Sequence, residues 1–162
     1  MSSDIDFAAA VAARDPRAVE RLFATHGDAV ARYITHLAPP RDDAELEEAV
    51  TRTFVAAMHR MPRYRNDISL KAFMLQAAHD TVTTMRRDGP VCRRPARSAD
   101  PRVNAARHAL LALPVDLGRM LTLKHVARVS NSDIAGVMGH THAETPSLLK
   151  RAAGALRCIL GG

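Results

Sequence analysis

The sequence predicts an all-α protein made of two small helical domains joined by a basic linker. Apolar residues return every three or four positions in both halves, which is the helical period. No run of alternating β-branched residues is present, so no sheet is expected. The stretch RRDGPVCRRPARSADPRV, residues 86–103, holds three prolines and one glycine and has no helical period, so it reads as a connector. The expected domains are therefore 1–87 and 104–162, with 88–103 as the linker.

The elements follow in chain order. Asp15-Pro16 is a helix start, because Asp caps and the missing N–H of Pro is harmless in a first turn. Val19, Leu22 and Phe23, then Val30, Tyr33, Ile34 and Leu37, mark the buried stripe of that helix, and Ala38, Pro39 and Pro40 end it. The acidic run DDAELEE suits the positive end of a second helix, whose apolar line is Leu46, Val50, Phe54, Ala57, Met58 and Met61. Pro62 to Asn66 is a loop. Leu70, Phe73, Met74, Ala77, Ala78, Val82 and Met85 mark a third helix ending at Arg86 and Arg87.

In the second half, Val103 to Leu113 forms a helix stopped by Pro114. Leu117, Met120, Leu121 and Leu123 to Val126 form another. Ser130 caps a short helix that buries Ile134, Val137 and Met138 and ends on a left-handed Gly139. Thr141 and Glu144 form a capping box opening the last helix. Its buried line is Leu148, Leu149, Ala152, Leu156 and Ile159. Pro146 leaves a second start open, in which Thr145 is the cap and Pro146 the favoured first residue.

Composition narrows the function. The chain has 162 residues, 47% hydrophobic and 25% charged, which excludes wholesale disorder. No apolar run approaches the roughly 20 residues of a membrane span. The acidic N-terminus MSSDIDFAAAVAARDPR lacks the basic start and apolar core of a secretory leader, so a cytoplasmic location is expected. Two cysteines, Cys92 and Cys158, make neither a disulfide framework nor a four-cysteine zinc site. Cys92 reads as an idle linker thiol and Cys158 as a packed one. His140 and His142 have no further ligand at metal spacing and read as capping-turn residues. No catalytic residues, cofactor or metal site are expected: there is no phosphate-cradling glycine loop, nucleophile elbow or paired acid–base carboxylates.

Charge is unevenly placed. Residues 1–85 hold ten basic and twelve acidic side chains, whereas residues 86–162 hold thirteen and five. Residues 86–107 alone carry seven arginines and two aspartates. A basic segment beside an acidic one fits a polyanion partner for the first and a different partner for the second. It is equally compatible with a solvated, extended linker.

Residues 130–156, SNSDIAGVMGHTHAETPSLLKRAAGAL, form two short helices joined by a tight glycine turn, which is a helix-turn-helix. Lys150, Arg151 and Arg157 either contact phosphate or complement the C-terminal end of the second helix.

The pattern LALP, a helix, then V-S-x-x-D-I-A-x-V-M-G-x-T resembles the C-terminal domain of extracytoplasmic-function sigma factors of bacterial RNA polymerase. Residues 46–80, LEEAVTRTFVAAMHRMPRYRNDISLKAFMLQAAHD, are similar to that family's polymerase-binding and promoter-melting segment. The resemblance covers nearly the whole chain and implies core polymerase, promoter DNA and an anti-sigma factor as partners. It places the polymerase contact on Glu47, Glu48, Thr51, Arg52 and Phe54. It places minus-ten contacts, including a flipped base, on Arg63, Tyr64, Arg65, Asn66, Lys71, Phe73, His79, Arg86 and Arg87. The reading helix would contribute Thr141, His142, Thr145, Ser147, Lys150 and Arg151.

The chain departs from that pattern at exposed positions. The family usually places Gln and Glu where Thr51 and Arg52 stand, a Trp at Phe73, and a basic–Asn pair at His79 and Asp80. His140 and Thr145 stand where aliphatics are buried, and Pro146 and Leu148 where Lys and Arg face DNA. Two functions follow: a promoter-directing sigma factor, or a sigma-like protein that lost promoter reading and acts through protein–protein contacts.

Overall fold

A computed structural model describes residues 2–88 and 98–161. Among these residues there are eight α-helices and no strand, and the chain divides into two compact units, Met1–Arg93 and Arg94–Gly162. The expected all-α architecture is observed. Most of the expected linker, with Cys92, lies outside the described residues.

The first unit holds α1 (Ser2–Ala12), α2 (Pro16–Leu37), α3 (Asp43–Arg60), a 3-10 turn (Met61–Arg63) and α4 (Leu70–Asp88). Asp15 caps α2 as its sequence signature predicts, accepting from the N–H groups of Arg17 and Ala18 at 2.9 and 3.1 Å. Asp42 caps α3 through the Glu45 N–H at 2.8 Å. The helices α2, α3 and α4 pack on one another, burying Leu22, Val30, Tyr33, Ile34, Val50, Phe54, Ala57, Met74, Leu75, Ala78 and Val82. These come from the three predicted stripes, except Leu75, which the spacing did not predict; Val19, Leu37, Leu46, Met58 and Phe73 are only half-buried.

Helix α1 has no counterpart in the sequence reading. It packs on α2, α3 and the 3-10 turn through Ala8 and Val11, which are 3% and 0% exposed. Small side chains gave it a faint stripe, easily missed between acidic residues. The α1–α2 join is a Schellman turn: Asp15 N–H bonds to Ala10 C=O at 3.0 Å and Arg14 N–H to Val11 C=O at 2.9 Å. It holds Arg14 in the left-handed region, at φ 59°, where a β-carbon is unfavourable. Replacing Arg14 by Gly should therefore raise the unit's stability by about 0.5–1 kcal/mol, read as a higher urea midpoint.

The second unit holds α5 (Pro101–Ala112), α6 (Val115–Leu121), a π-turn (Thr122–Val126), α7 (Asn131–Met138) and α8 (Thr145–Gly161). Helix α5 starts inside the expected linker. Asp100 accepts from Arg102 N–H at 2.8 Å with Pro101 following it, the same Asp-Pro device that starts α2. Asn104 braces this start, exchanging two 2.8 Å bonds with the Ser98 backbone. The π-turn interrupts what reads as one helix after Pro114. Its wide winding, with Ala127 N–H bonded to Thr122 C=O at 3.1 Å, brings Met120, Leu121, Thr122 and Leu123 all inward. Helix α8 packs against α5, α6 and α7, and Leu113, Leu121 and Ala152 form a core flanked by Leu110, Leu117 and Leu156.

Four core expectations fail on α8. Leu148 and Leu149 are only half-buried, Ile159 is 41% exposed, and Cys158 is exposed. The helix runs to Gly161, so its last turns extend beyond the part of the helix that covers Leu113 and Leu121.

Candidate nucleic-acid and partner interfaces

On α3, Glu47, Glu48, Thr51 and Arg52 are exposed. Arg52 pairs with Glu48 at 2.6 Å, with Glu on the N-terminal side, the favourable order for an i,i+4 pair. Both side chains are more than half exposed, so the bond contributes little stability. It masks Glu48 with a positive charge. Phe54, expected at this surface, is 5% exposed and belongs to the core. In its place the structure presents Phe23. That ring was expected to be buried but is 51% exposed, lying against Phe54 with centroids 4.6 Å apart and a 39° tilt. Leu22 and Phe23 are neighbours in sequence, and one helical stripe cannot bury both equally; Leu22 took the centre. Phe54 lies one turn along α3 from Thr51, so Phe23 adds an aromatic edge beside the acidic face. Farther along α3, Val55 and Met58 line a cleft of about 760 Å³ with Val11, Pro16 and Val19.

The loop after α3 is held from within. The Tyr64 hydroxyl donates to Ile68 C=O at 2.8 Å and lies 3.0 Å from Asn66 Oδ1. Asn66 adopts φ 59°, which Asn tolerates better than most residues. Tyr64 is 9% exposed, so it supports the loop instead of offering a stacking face. Phe73 of α4 meets it edge-on at 5.3 Å and stays half-buried, leaving one partly open aromatic. Arg63 and Arg65 are exposed, whereas Lys71 and His79 are half-buried. Asp80, which would repel phosphate, is paired to Arg60 at 2.6 Å. Arg86 donates to Leu37 C=O, tying the end of α4 to α2, while Arg87 is exposed.

Lys71 also acts on His26 of α2. Burial holds the His26 imidazole below its ordinary range, the Lys71 ammonium lowers it further, and Asp4 of α1 partly opposes them. The folded state therefore favours neutral His26. Below the ordinary value of about 6.5 the unfolded chain takes up a proton that the folded chain does not. This contribution to stability is complete above that value and falls as pH drops toward the lowered folded pKa. The loss of urea stability between pH 7.5 and 5.5 should accordingly be smaller in His26→Gln than in the parent chain.

In the second unit, Ser130 caps α7 by accepting from Asp133 N–H at 3.1 Å. Gly139 ends α7 at φ 71°, as expected of the turn glycine. The capping box is complete: Glu144 N–H donates to Thr141 Oγ1 at 3.2 Å, and Thr141 N–H reaches Glu144 Oε2 at 3.0 Å. The Thr141 hydroxyl donates to the same oxygen at 2.7 Å. These bonds hold the Glu144 carboxyl below the usual range and commit the polar atoms of Thr141 to the cap. The box leads into α8, whose first residue is Thr145.

Thr145, expected among the DNA contacts, is not the cap and does not reach the surface. It is fully buried, and its hydroxyl donates to Thr141 C=O at 2.9 Å. That bond is how a hydroxyl is accommodated at an interior position. Pro146, second in α8, has no N–H with which to continue the turn opened by the Thr141–Glu144 box, so the box and the regular helix meet at Thr145. The turn before α8 and the start of α8 face solvent. Exposed there are His142, Ala143, Pro146, Ser147, Lys150 and Arg151.

The described parts thus define a two-unit, all-helical protein whose second unit ends in a helix-turn-helix with an open, basic face. No protein-family model matches the sequence, and no curated protein matches it. Solved structures do. One is CnrH, determined in complex with the cytosolic domain of CnrY: 22% identity, TM-score 0.75, covering 98% of this chain and 97% of that one. Another is the sigma factor RpoE, determined in complex with the anti-sigma factor NepR from Bartonella quintana: 17% identity, TM-score 0.65, covering 88% and 96%. The chain has the fold of these proteins. Among the described residues no helix is long and apolar enough to cross a membrane.

Proposed function

We propose that the protein is a sigma factor of the extracytoplasmic-function type, binding core RNA polymerase through its first unit and promoter DNA through both. The observation that carries this reading is the intact helix-turn-helix: a complete capping box, a left-handed Gly139 and an exposed Lys150–Arg151 face, within the fold of the sigma factor RpoE. The α3 face with Glu47, Glu48, Thr51 and Arg52 is the proposed polymerase contact, extended by Phe23. Arg63, Arg65, Phe73 and Arg87 are the accessible candidates for melted DNA, with Lys71 and His79 flanking them. The solved complexes of CnrH and RpoE, each with a protein partner, support an anti-sigma factor as a further partner, and a cytoplasmic site of action follows from polymerase binding.

Arg52 supplies a test of the first surface. Arg52→Glu removes the charge masking Glu48, so it should tighten binding to core polymerase about two- to fivefold, the range of a rim charge. Pull-down at fixed salt would read this. Weaker binding would place the polymerase contact elsewhere on the unit. A second reading, a sigma-like protein that binds partners without initiating, is favoured by the Glu48–Arg52 pair alone. It separates from the first by whether core polymerase starts RNA chains when the protein is bound.

A further inference from the structure

The solvent side of α4 has a carboxylate in its middle. Phe73, Asp80 and Arg87 stand seven residues apart, so they lie on nearly the same side of the helix, each about 10 Å from the next. Gln76 and Thr84 fill the line between them, and none of these residues is buried. The ends of this line are the aromatic and the arginine proposed to meet melted DNA. An aspartate between them would repel a phosphate chain running along the helix.

Arg60 changes that charge. It is the last residue of α3, and its Nη1 donates to Asp80 Oδ2 at 2.6 Å. The two side chains stay open to solvent, at 49% and 43% exposure. Such an exposed pair contributes little to folding; its effect is on the charge of the surface. Among the described residues this is the one bond the Arg60 side chain makes. A guanidinium has five N–H donors in a rigid fork, so the donors not turned to Asp80 are unused. Arg63, three residues on, and Arg65 are exposed beside it in sequence, against one exposed carboxylate in that loop, Asp67. Resting on the proposal that the first unit meets melted DNA, we infer that Arg60 is a further phosphate contact. Asp80 holds the guanidinium on the α4 line between Phe73 and Arg87, and the unused donors take a phosphate of the strand that meets Phe73. The carboxylate that would break the basic track instead carries a cation into it.

The test is binding of the full chain to a labelled single-stranded DNA oligonucleotide of random sequence, titrated at several salt concentrations. Arg60→Ala/Asp80→Asn removes one charge of each sign, so the net charge is unchanged. A surface felt only through its net charge would bind as before. With Arg60 on a phosphate, the double variant should bind about fivefold more weakly. Its slope of log affinity against log salt should flatten by about 0.7, the value of one phosphate contact on a single strand. Arg60→Lys keeps a cation at that place and should keep the slope, with affinity within about twofold of the parent. Helix content and urea midpoint should match the parent in both variants, because the pair is exposed. Parental affinity and slope in the double variant would overturn the Arg60 contact; melted-DNA binding by the unit then stands if Arg63→Ala/Arg87→Ala still flattens the slope. A parent chain that binds no single strand even at low salt would overturn that reading itself, and the Arg60 contact with it.

Discussion

With Lys150 and Arg151 both replaced by alanine, affinity for selected duplex DNA is expected to fall at least tenfold near physiological salt. The slope of log affinity against log salt should flatten by about two. Each lysine or arginine that neutralises a phosphate contributes close to −0.9 to that slope. The sequence alone is equally compatible with these residues complementing the C-terminal end of their helix. The structure removes that alternative, because α8 extends to Gly161, leaving Lys150 and Arg151 in its first half, beyond the reach of the terminal carbonyls. Both are exposed, so thermal unfolding should be nearly unchanged. A slope that stays put while stability holds would mean that this face does not meet phosphate.

A second large effect separates two adjacent residues. Leu22 is fully buried, and Leu22→Ala should cost about 2–5 kcal/mol, since the helices around it close only partly over the cavity. That is much of the stability of a small helical unit, so polymerase binding should fail because the unit unfolds. Phe23 is half-exposed on Phe54. Phe23→Ala should cost about 1 kcal/mol or less in urea, because its exposed half contributes nothing to the core. It should still weaken docking on core polymerase about tenfold or more, as an aromatic anchor does. Equal loss of stability in the two variants would show that Phe23 is a core residue and no part of the docking face.

Much of the fold was legible because apolar spacing and end signals agree. Asp15-Pro16, Asp42, Ser130, Gly139 and the Thr141–Glu144 box all act as their residue types predict. What was missed has particular causes. The stripe of α1 rests on Ala8 and Val11, too small to stand out. The start of α5 at Asp100 and Pro101 was hidden in an arginine- and proline-rich stretch. The π-turn depends on how Met120 to Leu123 pack, which no local period encodes.

Of the candidate site, the structure shows which of the expected residues reach the surface and which do not. Glu47, Glu48, Thr51 and Arg52, with Lys150 and Arg151, are exposed as a contact surface requires. Phe54, Tyr64 and Thr145 are buried, and Thr141 is committed to its cap. Sequence spacing places a residue on a helix but does not say which side a neighbour covers. Phe54 is covered by Phe23, and Tyr64 is drawn inward by the carbonyl of Ile68. Thr145 and Pro146 are accommodated for local reasons: the Thr145 hydroxyl bonds one turn back, and the regular helix starts at Thr145, just before Pro146.

The decisive measurement is transcription in vitro by purified bacterial core polymerase with and without this chain, on genomic fragments that the mixed complex retains at moderate salt. The predicted result is RNA starting at defined positions only when the chain is present, abolished by Lys150→Ala/Arg151→Ala. Core polymerase that binds the chain yet starts no defined RNA would contradict promoter-directed initiation and leave a sigma-shaped binding protein.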